Sequence, residues 1–277
     1  MKKYKNLDEL HEQYYDAFQE VHQFLLDNSI NYYAIEGTLL GAIRHNGFIP
    51  WDEDMDIGIP RQEYIRFLSI ASTLNPSKFK IINYQCGGKV EHAITKIALL
   101  NVEKEGARLI NGFDNHFHID VFPLDFVDGN IKKQKRVVKK SYIFKRFLYY
   151  KTRRINKKRP LRAFGLGAIK FLLLPFTTSF LCKKIDEIVS RPNKSPTKDD
   201  KRLWISSGLY TFEKESHSIE VFGTPQEHIF GRCKILIPDH PHDFLKNTYG
   251  EDYMTPVKRA GELEYKIVLT CEECDLD

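Results

Sequence analysis

The sequence predicts an α+β protein: a mixed β-sheet flanked by helices, with a basic, mostly helical portion attached. Three observations predict it. Helical and strand periodicities alternate along the first 125 residues in a β-α-β-α-β-β-β order, after a leading amphipathic helix. The apolar content, 42% with 19 Phe and 14 Tyr, is that of a chain that buries a core. The charge is divided: Ile131 to Lys184 holds 18 Lys and Arg and no Asp or Glu, while the remainder holds 24 basic residues against 37 acidic ones. The chain is an acidic body carrying a basic insert.

Taken in order, residues 7–27 place Leu7, Leu10, Tyr14, Phe18, Val21 and Leu25 at helical spacing. Tyr32 to Ile35 is a short strand, and Gly37-Thr38 leads into a short helix ending near Ile43. His45-Asn46-Gly47 signals a turn. Asp52 to Ile59 alternates as a strand, and Pro60 suits the start of a helix reaching about Leu74. Further strands are expected at Lys80–Tyr84, Ala93–Leu99 and Phe117–Phe122. Lys132 to Lys158 reads as a basic, aromatic-rich helix, and Phe164 to Phe180 as an apolar stretch broken by Pro175. After a loop at 191–196 come strand-like Val221-Phe222 and Lys234–Ile237, then a last helix from about Asp239 to Thr248. The expected organisation is one interlocked unit over 1–277: a core over 1–130, the basic helical insert over 131–200, and a C-terminal part over 201–277 packing back on the core.

The start of the chain has two lysines but no apolar run before Asp8 and Glu9, which argues against a secretory signal. Five cysteines without a framework pattern fit a reducing compartment, so the expected location is cytoplasmic. Cys271 and Cys274 form a lone CxxC and read as ordinary thiols.

The chemistry centres on Trp51-Asp52-Glu53-Asp54-Met55-Asp56-Ile57-Gly58. In a strand, Asp52, Asp54 and Asp56 share one face with neighbouring Cα atoms roughly 6–7 Å apart. Like charges that close raise one another's pKa unless a cation intervenes, and hard divalent ions such as Mg²⁺ take carboxylate oxygens. Phe117 to Pro123 alternates so that His118 and Asp120 share a face, and Asp120 can reach the same ion from a neighbouring strand. Gly37-Thr38 allows close backbone approach, and the helix after it offers N–H groups to a phosphate. Arg44, Lys96 and Arg108 are candidate phosphate-holding cations, Arg44 first because it lies between the Gly-Thr turn and the carboxylates.

Gly37-Thr-Leu-Leu-Gly-Ala-Ile-Arg44, then Ile49-Pro-Trp-Asp-Glu-Asp-Met-Asp-Ile57, resembles the signature of the LicD family, to which fukutin and fukutin-related protein are also related. His118-Ile-Asp-Val-Phe-Pro-Leu-Asp125 resembles its second block, and Tyr249-Gly-Glu-Asp-Tyr-Met-Thr-Pro256 the block near its C-terminus. The blocks stand in the family's order and span about residues 20 to 257. The resemblance implies a nucleotidyltransferase fold, a divalent metal (Mg²⁺ or Mn²⁺), and a CDP-linked donor, CDP-choline or another CDP-alcohol. It implies transfer of an alcohol phosphate, by default phosphocholine, to a sugar hydroxyl of a cell-surface polysaccharide or teichoic-acid-type precursor, with release of CMP. Asp54 and Asp56 match the family's metal pair, Asp120 its third carboxylate, Gly37-Thr38 its phosphate-side turn, and Asp52 its leading aspartate.

Other readings compete. Asp52, Asp54, Asp56 and Glu63 fall at the first, third, fifth and twelfth positions of a calcium loop, but Ile57 stands where that loop needs Gly and Pro60 occupies its ninth position. A non-catalytic calcium module would consume no nucleotide. An enzyme of the same fold that makes an activated nucleotide or adenylylates a small molecule would release pyrophosphate or transfer a nucleotide. A nucleic-acid binder working through the basic insert would leave the carboxylates unexplained, so no nucleic-acid partner is expected. Trp51 reads as a packing residue, and His240 and His242 as surface residues. Tyr249 to Pro256 reads as a helix end capped by Gly250, with Tyr253 and Met254 packing beneath the site. The expected partners are the nucleotide donor, a carbohydrate acceptor carried on a lipid, and, through the cations and aromatics of 131–184, the anionic inner face of a membrane.

Overall fold

The computed structural model describes residues 2–4, 7–86, 90, 92–105, 116–153, 160–194, 196–197, 201–208, 210–256 and 266–269. Arg108, Cys271 and Cys274 lie outside them. In chain order the elements are β1 (Lys2–Tyr4), α1 (Leu7–Asp27), β2 (Tyr33–Ala34), α2 (Glu36–His45), β3 (Met55–Pro60), α3 (Arg61–Ile70), β4 (Phe79–Ile82), β5 (Thr95–Glu105) and β6 (His116–Phe126). Then follow α4 (Ile131–Thr152), α5 (Pro160–Leu172), α6 (Thr178–Val189), β7 (Arg202–Ile205), α7 (Phe212–Glu215), β8 (Ser216–Ser218) and α8 (Ile219–Phe222). The hairpin β9 (Gln226–Phe230) and β10 (Cys233–Ile237), the helix α9 (Pro241–Tyr249) and β11 (Lys266–Leu269) complete the series. The protein is α+β, as expected.

The principal sheet runs β1-β11-β5-β6-β3-β2, with β4 also on β5 and β7 and β8 continuing from the end of β6. Among the described pairings β3 with β6 is parallel and the others are antiparallel. A register shift in β5 between Ala98 and Glu103 kinks that long strand. The sheet is therefore mixed, and its central strands carry the acidic motifs.

The core forms where the periodicity places it. Leu10, Tyr14, Phe18, Val21 and Leu25 of α1 are buried, joined by Phe117, Ile119 and Val121 of β6 and Ile57 of β3. Fully burying one such side chain contributes about 1.5–3 kcal/mol. A second cluster docks the helical portion: Leu181, Cys182, Ile185 and Val189 of α6 meet Leu148 of α4, Trp204 of β7 and Ala98 of β5. Asn130 caps α4, its side chain accepting from the N–H groups of Lys132 and Lys133 at 3.1 and 3.2 Å, and Thr177 caps α6 through Phe180 N–H at 3.0 Å.

A buried ion cluster fixes the same junction. Arg61 donates from Nε and Nη2 to the two oxygens of Asp125, both at 2.7 Å, and from Nη1 to Asp186 of α6 at 2.7 Å. Asn193 adds a bond to Asp125 at 2.7 Å. Burial opposes the charge on Arg61, but the two aspartates outweigh it and hold the guanidinium charged.

Several expectations need correction. The strand expected from Asp52 begins only at Met55, and Asp52, Glu53 and Asp54 form a loop before it. The basic helix ends at Thr152, and α5, a turn at Pro175 and α6 replace a single apolar stretch. Val221-Phe222 belongs to the one-turn helix α8, because Ser218 caps it and Gly223 ends it at φ +52°. The strands β7, β8 and β9 were not expected: they are short and flanked by polar residues, so their periodicity is weak. Glu63 does not close a calcium loop; it lies on α3 and accepts from Asn31, while residues 55–60 are strand. Met254 is exposed rather than packed beneath the site, whereas Tyr253 is buried and Gly250 caps α9 as expected. Among the described residues no helix is long and apolar enough to cross a membrane.

Candidate functional site

Parallel pairing of β3 with β6 sets Asp56 directly beside Asp120, and antiparallel pairing of β5 with β6 sets Lys96 on the other side of Asp120. Three neighbouring strands thus present Lys96, Asp120 and Asp56 in one row. Lys96 Nζ lies 3.3 Å from Asp120 Oδ1, and His118 Nε2 lies 3.3 Å from the same oxygen. Lys96 and His118 also contact each other directly. His118 Nδ1 is 3.2 Å from the His116 carbonyl.

Asp52 and Asp54 join this row from the loop before β3 rather than by strand alternation. Burial first, then the charges of Asp54, Asp120, Glu36 and Asp52, push the Asp56 carboxyl well above the usual carboxylate range. Burial and the charge of Asp54 push Asp52 up to about 7. These shifts are the physical signature of carboxylates gathered without enough positive charge.

The loop is held from two sides. On one, α1 supplies His11, whose Nε2 is 2.7 Å from the Asp52 carbonyl, and Tyr14, whose hydroxyl lies 3.1 Å from the Glu53 carbonyl and 3.0 Å from that of His118. Burial lowers the pKa of His11, which stacks on Phe48 at 4.2 Å. On the other side stands α2. The Asp56 N–H donates to Thr38 Oγ1 at 2.8 Å, which locks the start of β3 to the first turn of the helix. Gly37 lets Asp52 approach: a Cβ there would lie 2.6 Å from Asp52 Oδ2. Its close approach serves a carboxylate of the chain itself.

Arg44 turns toward the C-terminal block, where its Nη1 donates to the Tyr253 carbonyl at 2.8 Å. It links α2 to the segment after α9. The structure thus assembles Asp52, Asp54, Asp56, Asp120, Lys96 and His118, with Gly37 and Thr38 supporting them and Arg44 facing Tyr253.

Sequence reasoning missed a second acidic pair. Glu36 heads α2 in the left-handed region, at φ +49°, which costs about 1–3 kcal/mol for a residue other than glycine. Its buried carboxyl shares a hydrogen bond with Glu215 of α7; burial and the Glu215 charge raise it well above the usual range. Burial also raises Glu215, against its bonds from Glu36 and the Tyr210 N–H and the charge of Lys145. Gly208 leaves room for this carboxyl, since a Cβ there would lie 2.1 Å from Glu215 Oε2. Tyr249 Oη sits 3.5 Å from Glu36 Oε2, bringing α9 to the same cluster. The available signal was Glu36 itself, an acid placed immediately before Gly-Thr at a strand-to-helix turn. Nothing local marks Glu215, far away in sequence. His11 and Tyr14 read only as helix positions.

The donor set suits a hard divalent cation: Asp54, Asp56 and Asp120 are carboxylates whose repulsion asks for positive charge, and a cation, Lys96, already stands at Asp120. Among the described residues no three His, Cys, Asp or Glu side chains converge on one point as they stand.

The mixed sheet and the carboxylate row on adjacent parallel strands define an α+β protein with an acidic centre. Residues 29–157 match the family described as LicD/FKTN/FKRP, nucleotidyltransferase domain. An uncharacterised protein of Rickettsia typhi is 33% identical over 128 residues, covering 44% of this chain and 38% of the relative. The lipopolysaccharide cholinephosphotransferase LicD of Haemophilus influenzae is 56% identical over 41 residues, 15% of this chain and 16% of that one. Ribitol 5-phosphate transferase FKRP of Mus musculus is 31% identical over 94 residues, 34% of this chain and 17% of that one. The chain therefore aligns with well under half the length of these relatives. The family match takes in Glu36, the carboxylate row and Lys96, and ends before Glu215 and Tyr249.

Proposed function

We propose that this protein transfers an alcohol phosphate, phosphocholine by preference, from a CDP-linked donor to a hydroxyl of a cell-surface glycan or teichoic-acid-type precursor, releasing CMP. The observation that carries the reading is the register pairing of Asp56 with Asp120, with Asp52 and Asp54 brought beside them. Relatives named as a cholinephosphotransferase and a ribitol phosphate transferase support a phosphorylated alcohol as the transferred group.

Asp54, Asp56 and Asp120 would hold Mg²⁺ or Mn²⁺, which when bound neutralises charge on the donor pyrophosphate. The remaining work falls to the chain. Thr38 fixes the start of β3 and so the direction of Asp56. Lys96 and His118 orient Asp120, and Lys96 adds positive charge beside the donor phosphates. Arg44, whose Nη1 donates to the Tyr253 carbonyl, ties α2 to the C-terminal block and would offer its remaining N–H groups to the nucleotide phosphates. Asp52, held by His11 through its backbone and set against Gly37, accepts the proton of the acceptor hydroxyl.

The test is a panel of CDP-alcohols incubated with the protein and Mg²⁺, followed by chromatography of the nucleotide products. CMP from one CDP-alcohol, abolished by EDTA and restored by Mn²⁺, is the expected result. Consumption of a nucleoside triphosphate with release of pyrophosphate, and no CMP from any CDP-alcohol, would replace the reading with synthesis of an activated nucleotide.

A further inference from the structure

Of the 16 large apolar side chains exposed among the described residues, 11 lie between Ile131 and Phe180. That is the stretch in which the sequence has cations and no acid. The densest part is the corner joining α5 to α6. The chain leaves α5 through turns closed by Leu174 N–H to Phe171 O at 3.1 Å and Phe176 N–H to Leu173 O at 3.1 Å, and Thr177 then caps α6. Leu173 is buried and anchors the corner, while its neighbours point outward: Phe171 is 72% exposed, Leu172 73% and Leu174 66%. Phe176 and Phe180 continue the apolar surface, their rings stacked at 5.5 Å.

Cations surround this corner. Lys151 donates to the Leu173 carbonyl at 2.8 Å, so the end of α4 reaches the corner itself. Arg153 is exposed and lies over the Tyr149 ring at 5.0 Å, and Lys183 is exposed on the first turns of α6. Farther along α4, Lys135, Lys139 and Arg146 line a cleft of about 550 Å³ together with Val138, Tyr142, Phe212 and one acid, Glu213. Soluble proteins rarely leave such apolar groups together in water, and exposed patches of this kind mark interaction surfaces. A protein partner would be expected to meet the cations with acids at fixed positions. Here the cations are dispersed around a protruding apolar corner, a geometry that suits a fluid surface with negative charge and an apolar interior.

We propose that the α5–α6 corner and the cations around it dock the protein on an anionic phospholipid bilayer. Phe171, Leu172 and Leu174 enter the interface between head groups and acyl chains, while Lys151, Arg153 and Lys183 lie at the level of the lipid phosphates. The docking goes beyond the transfer reaction and does not depend on it, since it needs neither donor nor metal.

The experiment is co-sedimentation of the full chain with vesicles of phosphatidylcholine alone, or of phosphatidylcholine mixed with phosphatidylglycerol, at low and high salt. Wild type should pellet with the anionic vesicles at low salt and be released by high salt. The variant Phe171→Ser/Leu172→Ser/Leu174→Ser should bind at least about tenfold more weakly, and so should Arg153→Glu/Lys183→Glu. Circular dichroism should show both variants folded, because the substituted side chains are exposed. Recovery of wild type in the supernatant under every condition would overturn the proposal. So would unchanged binding of the triple variant, or binding to a soluble polyphosphate with none to vesicles. CMP release from a soluble CDP-alcohol, measured on the same proteins, keeps the two claims apart: a chain that releases CMP but ignores vesicles sinks the docking alone, and one that binds vesicles without releasing CMP sinks the transfer reading alone.

Discussion

β6 carries two aspartates in contrasting company. Asp125 is fully buried, yet both its oxygens are met by Arg61, and Asn193 adds a further bond. Asp120, nearer the start of the same strand, faces Asp56 across the parallel pair, with Asp54, Asp52 and Glu36 all raising the proton affinity of Asp56. Lys96 and His118 are the cationic or titratable partners placed at Asp120. Burial alone therefore does not mark a functional carboxylate. What separates the two ends is whether opposite charge accompanies the burial. Where it does, the cluster ties α3, β6 and α6 together; where it falls short, like charges are held close at a cost to stability, and the fold supplies restraints such as Thr38 and Tyr14 to hold them.

The comparison breaks most sharply at Asp56. Asp56→Asn keeps the shape and removes a charge, and CMP release should fall at least about 10³-fold, roughly 4 kcal/mol of barrier. The same substitution should raise stability toward urea by about 1 kcal/mol, because repulsion is relieved. At the other end the effects invert. Arg61→Ala leaves Asp125 buried without its ion partner and should cost about 3–5 kcal/mol by urea denaturation. Arg61→Lys should recover only part of this, since an ammonium cannot span both oxygens. If Asp56→Asn proved the more destabilising of the two ends, the distinction would collapse.

A smaller effect sharpens how the crowded end is held. Thr38→Val removes the acceptor for the buried Asp56 N–H and should cost about 1–3 kcal/mol, with activity falling further than the folded fraction. Wild-type activity in a folded Thr38→Val protein would remove Thr38 from the account.

The pH dependence separates the buried groups by sign. His217, stacked on Phe244 at 3.8 Å, has its pKa lowered by burial from 6.5 to about 3. The unfolded chain takes a proton there before the folded chain does, so this contribution is complete above pH 6.5 and is lost as pH falls toward 3. The loss should approach about 1.4 kcal/mol per pH unit, and His217→Gln should flatten it. Glu36 and Glu215 carry the opposite sign. Their raised pKa values favour the folded state below the ordinary carboxylate range, and that advantage fades as pH rises. Glu215→Gln should therefore stabilise the chain at neutral pH relative to wild type, and this difference should vanish in acid. Equal pH profiles for all three proteins would contradict both assignments.

Much of the carboxylate row was legible because strand alternation and acidic spacing are local signals. His118 and Asp120 stand where the alternation of β6 put them, and Asp56 where the Asp-Met-Asp-Ile-Gly run put it. The α+β class followed from the same periodicities. What the sequence hid was tertiary. Asp52 and Asp54 approach Asp56 through a loop pinned by His11 and Tyr14, and no spacing rule connects residues 11 and 14 with residues 52 and 53. Glu36 meets Glu215 across most of the chain. Arg44 stands between the motifs in sequence, but its guanidinium direction is set by a carbonyl at Tyr253. Short strands such as β8 escaped because three residues cannot show a period, and Val221-Phe222 lost its strand reading to a Ser cap and a Gly stop.

The central claim is that the Asp52-Asp54-Asp56-Asp120 centre is short of positive charge and completed by a divalent cation. Thermal unfolding of wild type and Asp56→Asn, each with EDTA and with saturating Mg²⁺ or Mn²⁺, tests it without any substrate. Wild type should gain about 5 °C on adding the ion, while Asp56→Asn should start higher in EDTA and gain little. Equal gains in the two proteins, or a lower starting temperature for Asp56→Asn, would contradict it.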